Sequence, residues 1–153
     1  MSVCVSVLKN KQDAEEASQD SFIKAYKKLK SFDKTSKFST WLYRISYRTS
    51  LDHLRKKKRT ANIEDHSFGL REEDAIQTKV DNEERFDILQ SVLMNLKEEE
   101  RTLIRLFYFE EMQVRDLAKI TGLSESNVKI KLYRIRKKLK DRISPGLKKM
   151  YLP

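Results

Sequence analysis

Arg44, Arg48 and Arg55 fall at i, i+4 and i+11, on one line along a helix. The line runs into Arg55-Lys56-Lys57-Lys58-Arg59. Cations in a row neutralise phosphates, so the chemistry they offer is binding of a nucleic-acid backbone. Phe38, Trp41, Tyr43 and Tyr47 lie beside them, and aromatic rings give unpaired bases a surface for stacking. The plainer alternatives are a solvated helix end for the charges and a core role for the rings. A second set is Ser126, Asn127, Lys129, Tyr133, Arg134 and Lys137. It decorates a helix whose apolar stripe is narrow: Val128, Leu132, Ile135 and Leu139 at i, i+4, i+7 and i+11. Such a face suits the base edges and phosphates of a DNA major groove, with a solvated surface hairpin as the alternative.

Chemistry that makes or breaks bonds finds no comparable set. The sequence holds no glycine-rich phosphate loop, no metal-ligand cluster and no nucleophile–base pair. His53 follows Asp52, but adjacent helical residues point about 100° apart and do not form a catalytic pair. With two His and one Cys, no zinc site is expected. The chain therefore reads as a binding protein, not an enzyme, with no cofactor.

Low Gly and Pro counts and 37% charged residues predict an all-α fold. Asp13 to about Leu29 reads as a helix, with Asp13, Glu16 and Asp20 on one face and Phe22, Ala25, Tyr26 and Leu29 as an apolar stripe. The acidic face suits a basic partner, or simply solvent. A second helix starts at Ser39 or Thr40 and runs to about Arg59. Its two apolar faces, Phe38/Trp41/Leu42/Ile45 and Tyr43/Tyr47/Leu51/Leu54, predict packing between two neighbours with the arginines outward. Further helices are expected from Glu83 to Leu96 and from Glu98 to Phe109, the latter with Leu103, Ile104, Phe107 and Tyr108 inward. In Met112–Lys140, Val114, Leu117 and Ala118 mark one helix, Gly122 its stop and Ser124 the cap of the next, a helix-turn-helix. Ser144-Pro145-Gly146 is expected to end the fold.

Charge divides the chain. Residues 1–59 carry 15 Lys/Arg against 6 Asp/Glu, residues 60–83 carry 2 against 7, and residues 84–153 carry 16 against 10. Two basic modules, 1–59 and 84–153, joined by a flexible acidic linker, 60–83, are the expected organisation. No run of about 18 apolar residues exists, so no membrane insertion is expected. The first ten residues lack the pattern of a signal peptide, and Cys4 is alone, which fits the reducing cytoplasm.

Three stretches carry a family likeness. DAEEASQDSFIKAYKKL (13–29), FSTWLYRISYRTSLDHLRKKKR (38–59) and the Met112–Lys140 unit resemble, in order and spacing, bacterial sigma factors of the extracytoplasmic-function (ECF) group of the sigma-70 family. The resemblance implies that 1–59 is region two, which binds the polymerase beta-prime clamp helices and opens the minus-ten element. It implies that 84–153 is region four, a winged-helix-like helix-turn-helix domain that reads the minus-thirty-five element and touches the beta flap. The linker would run toward the active-centre and RNA-exit channels. Carried over residue by residue, Asp13, Glu16, Gln19, Asp20 and Phe22 dock on polymerase. The loop Asp33–Lys37 corresponds to the one that captures a flipped base. Lys37, Trp41, Arg44, Arg48, Arg55, Lys56, Lys57 and Arg59 hold promoter DNA. Ser126, Asn127, Lys129, Ile130, Lys131, Arg134 and Lys137 face the minus-thirty-five groove. Expected partners are core RNA polymerase, promoter DNA and an anti-sigma factor. Two positions depart from the family's habit: Arg48 stands where Asn is usual, and Ile130 where many members have Ser. The chain is also expected to lack part of the first region-two helix, since roughly twenty residues, most of a ~30 Å helix, usually precede the position of Leu8. The alternative is a free-standing helix-turn-helix regulator, for which that unit alone suffices.

Overall fold

The computed structural model describes residues 1–64 and 92–151, with side chains over 1–60 and 92–141. All regular structure in it is helical. Two helical clusters are present. The first is α1 (Ser2–Leu8), α2 (Lys11–Lys28), a 3-10 turn (Leu29–Ser31) and α3 (Phe38–Glu64). The second is α4 (Glu98–Ile104), a π-turn (Arg105–Phe109), α5 (Val114–Thr121) and α6 (Glu125–Tyr151). The expected linker falls outside the described residues from 65 onward; residues 60–64 continue α3 beyond its expected end near Arg59. Most of the expected helix Glu83–Leu96 also lies outside them, with 92–94 helical. No β-hairpin wing occurs among the described residues.

The α1–α2 corner is sharp. Lys9 has φ 60° and ψ −32°, and Asn10 N–H donates to Leu8 O at 2.6 Å, a γ-turn that is strained for a residue with a side chain. Asn10 then caps α2, its side chain accepting from Asp13 N–H at 3.0 Å. The helix thus begins two residues earlier than the expected Asp13.

The apolar stripe of α2 is not its buried face. Phe22, Tyr26 and Leu29 are exposed, Tyr26 by 82%. The buried stripe is Ala14, Ala17, Ser21 and Ala25, at i, i+3, i+7 and i+11. Small residues let α2 approach α3 closely, and the large rings turn outward instead. One edge of α2 is also zipped to α3 by polar contacts. Lys24 Nζ meets Thr49 Oγ1 at 3.3 Å, His53 Nε2 meets Asp20 Oδ2 at 2.8 Å, and Lys57 Nζ meets Asp13 Oδ2 at 2.5 Å. The three α3 residues sit at i, i+4 and i+8, so the two helices run antiparallel in fixed register.

As expected, α3 packs between neighbours, α2, α1 and, from the second cluster, α5, but only its face of Tyr43, Tyr47, Leu51 and Leu54 joins the apolar core; Phe38, Trp41, Leu42 and Ile45 stay outside it, with Phe38 exposed. The buried Tyr47 joins Val3, Cys4, Val7 and Leu8 of α1 to Leu96, Leu103, Ile104 and Leu106 in one continuous apolar core, which extends to Leu117, Ile120, Val128, Leu132 and Ile135. The π-turn explains one further difference. It shifts the register after Ile104, so Leu106 enters the core while Tyr108 is half exposed. Arg136 covers the displaced rings, its Nε donating to Tyr108 Oη at 2.6 Å. Gly122 ends α5 at φ 79°, where a side chain would be strained, and Ser124 Oγ accepts from Asn127 N–H at 3.2 Å, as the helix-turn-helix requires. The expected stop at Ser144-Pro145-Gly146 is absent: α6 continues to Tyr151, the proline removing one ladder bond without ending the helix.

The two clusters are held together by a buried guanidinium. Arg101 Nε donates to Ser6 O at 2.7 Å, Nη2 to Val7 O at 3.2 Å and Nη1 to Leu96 O at 2.6 Å. Ser6 and Val7 belong to the last turn of α1, whose carbonyls lack helical partners and favour a cation. Lys9 Nζ adds a bond to Met94 O at 2.6 Å. Burial lowers the Arg101 and Lys9 pKa values, so protein carbonyls replace lost water around both cations.

Two predictions follow this packing. Arg101→Met strands those carbonyls and should lower stability by roughly 2–4 kcal/mol in urea unfolding, whereas a surface role would give a change within about 0.5. The Tyr47 phenol is pushed up to about 12 by burial, with smaller contributions from Glu99 and Glu98 of the second cluster. A folded pKa above the ordinary 10 gives stability that is complete below pH 10 and is lost as pH rises toward 12. Between those pH values the chain should lose roughly 2–3 kcal/mol that Tyr47→Phe keeps, measured by urea unfolding at each pH.

Candidate nucleic-acid and polymerase interfaces

On α3 the row Trp41, Arg44, Arg48, Asp52, Arg55 runs at helical spacing, because the opposite positions Thr40, Ser46, Tyr47, Thr49 and Ser50 are buried. Arg44, Arg48 and Arg55 are exposed, and Arg55 lies 3.5 Å from Asp52, a surface pair that leaves it available. Lys37, Lys56 and Arg59 are exposed nearby, but Lys57 is engaged with Asp13. Trp41 is half-buried and held in an aromatic trio, its ring centroid 5.2 Å from Phe32 and 5.5 Å from Phe38. A loop ring thereby fixes the indole beside the cations, with Phe38 itself partly exposed for a further contact.

The loop before α3 is locally ordered. Thr35 N–H and hydroxyl donate to Asp33 at 3.0 and 2.8 Å and hold its carboxyl below the usual range. Ser31, Asp33, Thr35, Ser36, Thr40, Trp41, Arg44 and Lys119 line a cleft of about 310 Å³. Thr40 itself is buried, its hydroxyl without a protein partner. Lys119 comes from α5, its Nζ 3.5 Å from Thr35 O. Sequence reading missed it, since only the contact between clusters brings it there. A second crevice of about 360 Å³ separates Arg48 and Arg55 from Ile120 and Thr121, so the second cluster borders the arginine row along its length.

Around α6 the buried stripe Val128, Leu132 and Ile135 directs Ser126, Asn127, Lys129, Ile130, Arg134 and Lys137 to solvent, together with Tyr133. Lys131 is set apart: its Nζ is 2.6 Å from Glu99 on α4, and Lys138 is tied to Glu100 at 2.5 Å. These pairs orient α6 on α4, so Lys131 lies on the flank and not on the outer face.

The acidic set on α2 divides likewise. Glu16, Gln19 and Phe22 point outward, whereas Asp13 and Asp20 are turned to α3. The outward group is extended by exposed Ile23, Tyr26 and Leu29. Together they make an outward apolar face on α2, larger than singly scattered surface apolar residues. The run of small residues from Ala14 to Ala25 is the sequence signal that could have identified it.

No group of three or more His, Cys, Asp or Glu placed to hold a metal occurs among the described residues, and no described helix is long and apolar enough to cross a membrane. His53 pairs with Asp20, not with its neighbour Asp52.

Comparison with known proteins accounts for this arrangement. Residues 1–60 match the family model of sigma-70 region 2, and residues 86–139 that of sigma-70 region 4. The chain is 32% identical to the ECF RNA polymerase sigma factor SigW of Bacillus subtilis (strain 168), over 91% of this chain and 82% of that one. It is 29% identical to SigM of the same organism, over 94% and 87%. Its fold is similar to that of the sigma factor RpoE from Bartonella quintana, crystallised in complex with the anti-sigma factor NepR. The TM-score is 0.70 at 22% identity, over 93% of this chain and 88% of that one. The chain belongs to the ECF sigma factors of the sigma-70 family.

Proposed function

We propose that this chain is a promoter-specificity subunit that binds core RNA polymerase and directs initiation, with no catalysis of its own. The observation that carries this reading, beyond family membership, is an exposed arginine row beginning at a braced indole. Residues 1–59 act as region two and 84–153 as region four, joined by 60–83. The α2 face of Glu16, Gln19, Phe22 and Tyr26 docks on the beta-prime clamp helices, and the second cluster touches the beta flap. Arg44, Arg48 and Arg55 hold the phosphates of the minus-ten single strand. Extruding a base costs a few kcal/mol, offset by stacking and by phosphate contacts, so no bond-making residue is needed. The cleft at Thr40 and Trp41 takes the extruded base. The outer face of α6 reads the minus-thirty-five element.

The two clusters cannot do this while packed together. Elements about 25 base pairs apart are separated by about 85 Å along B-DNA. A folded chain of this length has a radius of gyration of about 15 Å. Binding both elements requires the clusters to separate at the Arg101 junction and between α3 and α5. Docking on polymerase supplies the free energy and holds both clusters at high effective concentration over the promoter. An anti-sigma factor that keeps them together would oppose this.

Reconstituted transcription with bacterial core polymerase on genomic templates tests the reading. The chain should yield promoter-dependent transcripts. Trp41→Ala with Arg48→Ala should retain core binding but lose strand opening at least tenfold, by loss of stacking and of a phosphate contact. Phe22→Ser with Tyr26→Ser should weaken core binding itself. Absence of any promoter-dependent transcript contradicts the proposal.

A further inference from the structure

The outer face of α6 displays an apolar group that the fold does not use. Val128, Leu132 and Ile135 are 0, 2 and 0% exposed and complete the stripe against the core. Ile130 lies about 200° around the helix from Val128. It is 48% exposed, and Tyr133, three residues on, is 66% exposed. Neither belongs to the apolar core or to the side chains packed on it. Exposed Lys129, Arg134 and Lys137 surround them, with Asn127 on the same turn.

A cationic rim matches phosphates; an aliphatic centre does not. In a DNA major groove the one apolar group on a base edge is the thymine C5 methyl. Isoleucine also suits a fixed contact, because its β-branched side chain keeps one dominant rotamer in a helix and is positioned before binding. We propose that Ile130 is a specificity-determining residue that reads a thymine methyl in the duplex bound by α6, with Tyr133 flanking the contact at i+3. This rests on the reading of α6 as the promoter-recognition helix.

The test uses the full chain assembled with bacterial core polymerase. Duplexes that this holoenzyme selects from a random library serve as the probe. Each thymine within the α6 footprint is replaced in turn by deoxyuridine, which removes only the methyl. At one position uracil should weaken binding roughly fourfold, the effect of burying one methyl-sized group. Ile130→Ala should bind the thymine and uracil duplexes equally, and Ile130→Val should keep most of the difference. Ile130 is on the surface, so an unchanged melting temperature accompanies these results. Equal binding by the unsubstituted chain at every position, as for an isoleucine that docks a protein, overturns the inference and leaves the sigma-factor reading intact. So does undiminished discrimination in Ile130→Ala. A holoenzyme that initiates no promoter-dependent transcription and selects no sequence overturns that reading, and this inference with it.

Discussion

A guanidinium taken out of water must be surrounded by acceptors, and the structure depends on how Arg101 meets that constraint. No carboxylate is bonded to it among the described contacts; main-chain carbonyls from both clusters take the place of water. Two of these end α1, 94 and 95 positions away in sequence. The same junction brings Val3, Cys4 and Val7 against Leu103, Ile104 and Leu106. A cation satisfied by carbonyls avoids the high cost of burying an unpaired charge, but only while both clusters are in place. Separation would return Arg101 and the end of α1 to solvent together. The junction therefore combines an apolar core with a buried cation whose carbonyl partners come from both clusters.

Local pattern made much of the fold legible. Gly122 and Ser124 specify the helix-turn-helix through backbone conformation and capping, which depend on near neighbours only. The face Tyr43, Tyr47, Leu51 and Leu54 of α3 announced a side packed into the core, and it is one, whereas the second expected face, from Phe38 to Ile45, stays outside the core. Where reading failed, a competing physical effect won. On α2 the large apolar residues and the small ones have overlapping periods, and close approach to α3 selected the small ones. At Tyr108 a π-turn changed the register that a 3.6-residue period assumes. Arg101 gave no signal, because its partners are carbonyls, which any sequence has.

The interface residues show the same division. The arginine row and the outer face of α6 follow from helical geometry, and their exposure agrees with the pattern. Lys57 and Lys131 looked equivalent to their neighbours, yet each is drawn to an acid on another helix, Asp13 and Glu99. Charge type alone does not separate a cation that faces solvent from one that sets helix register. Lys119 is the reverse case, brought to the loop before α3 only by packing between clusters.

Under the proposed two-element promoter reading, that packing sets one requirement: the compact form and the promoter-bound form must differ. Thr35 and Lys119, both exposed, lie on opposite sides of the junction, with Lys119 Nζ 3.5 Å from Thr35 O. The distance between spin labels at these two positions, measured by pulsed electron resonance in the free chain and in the promoter-bound holoenzyme, tests the requirement directly. A short distance in the free chain that becomes several tens of ångströms on the promoter, on the scale of the ~85 Å between elements, is predicted. A long distance in the free chain, or a short one that persists in the promoter complex, would contradict it.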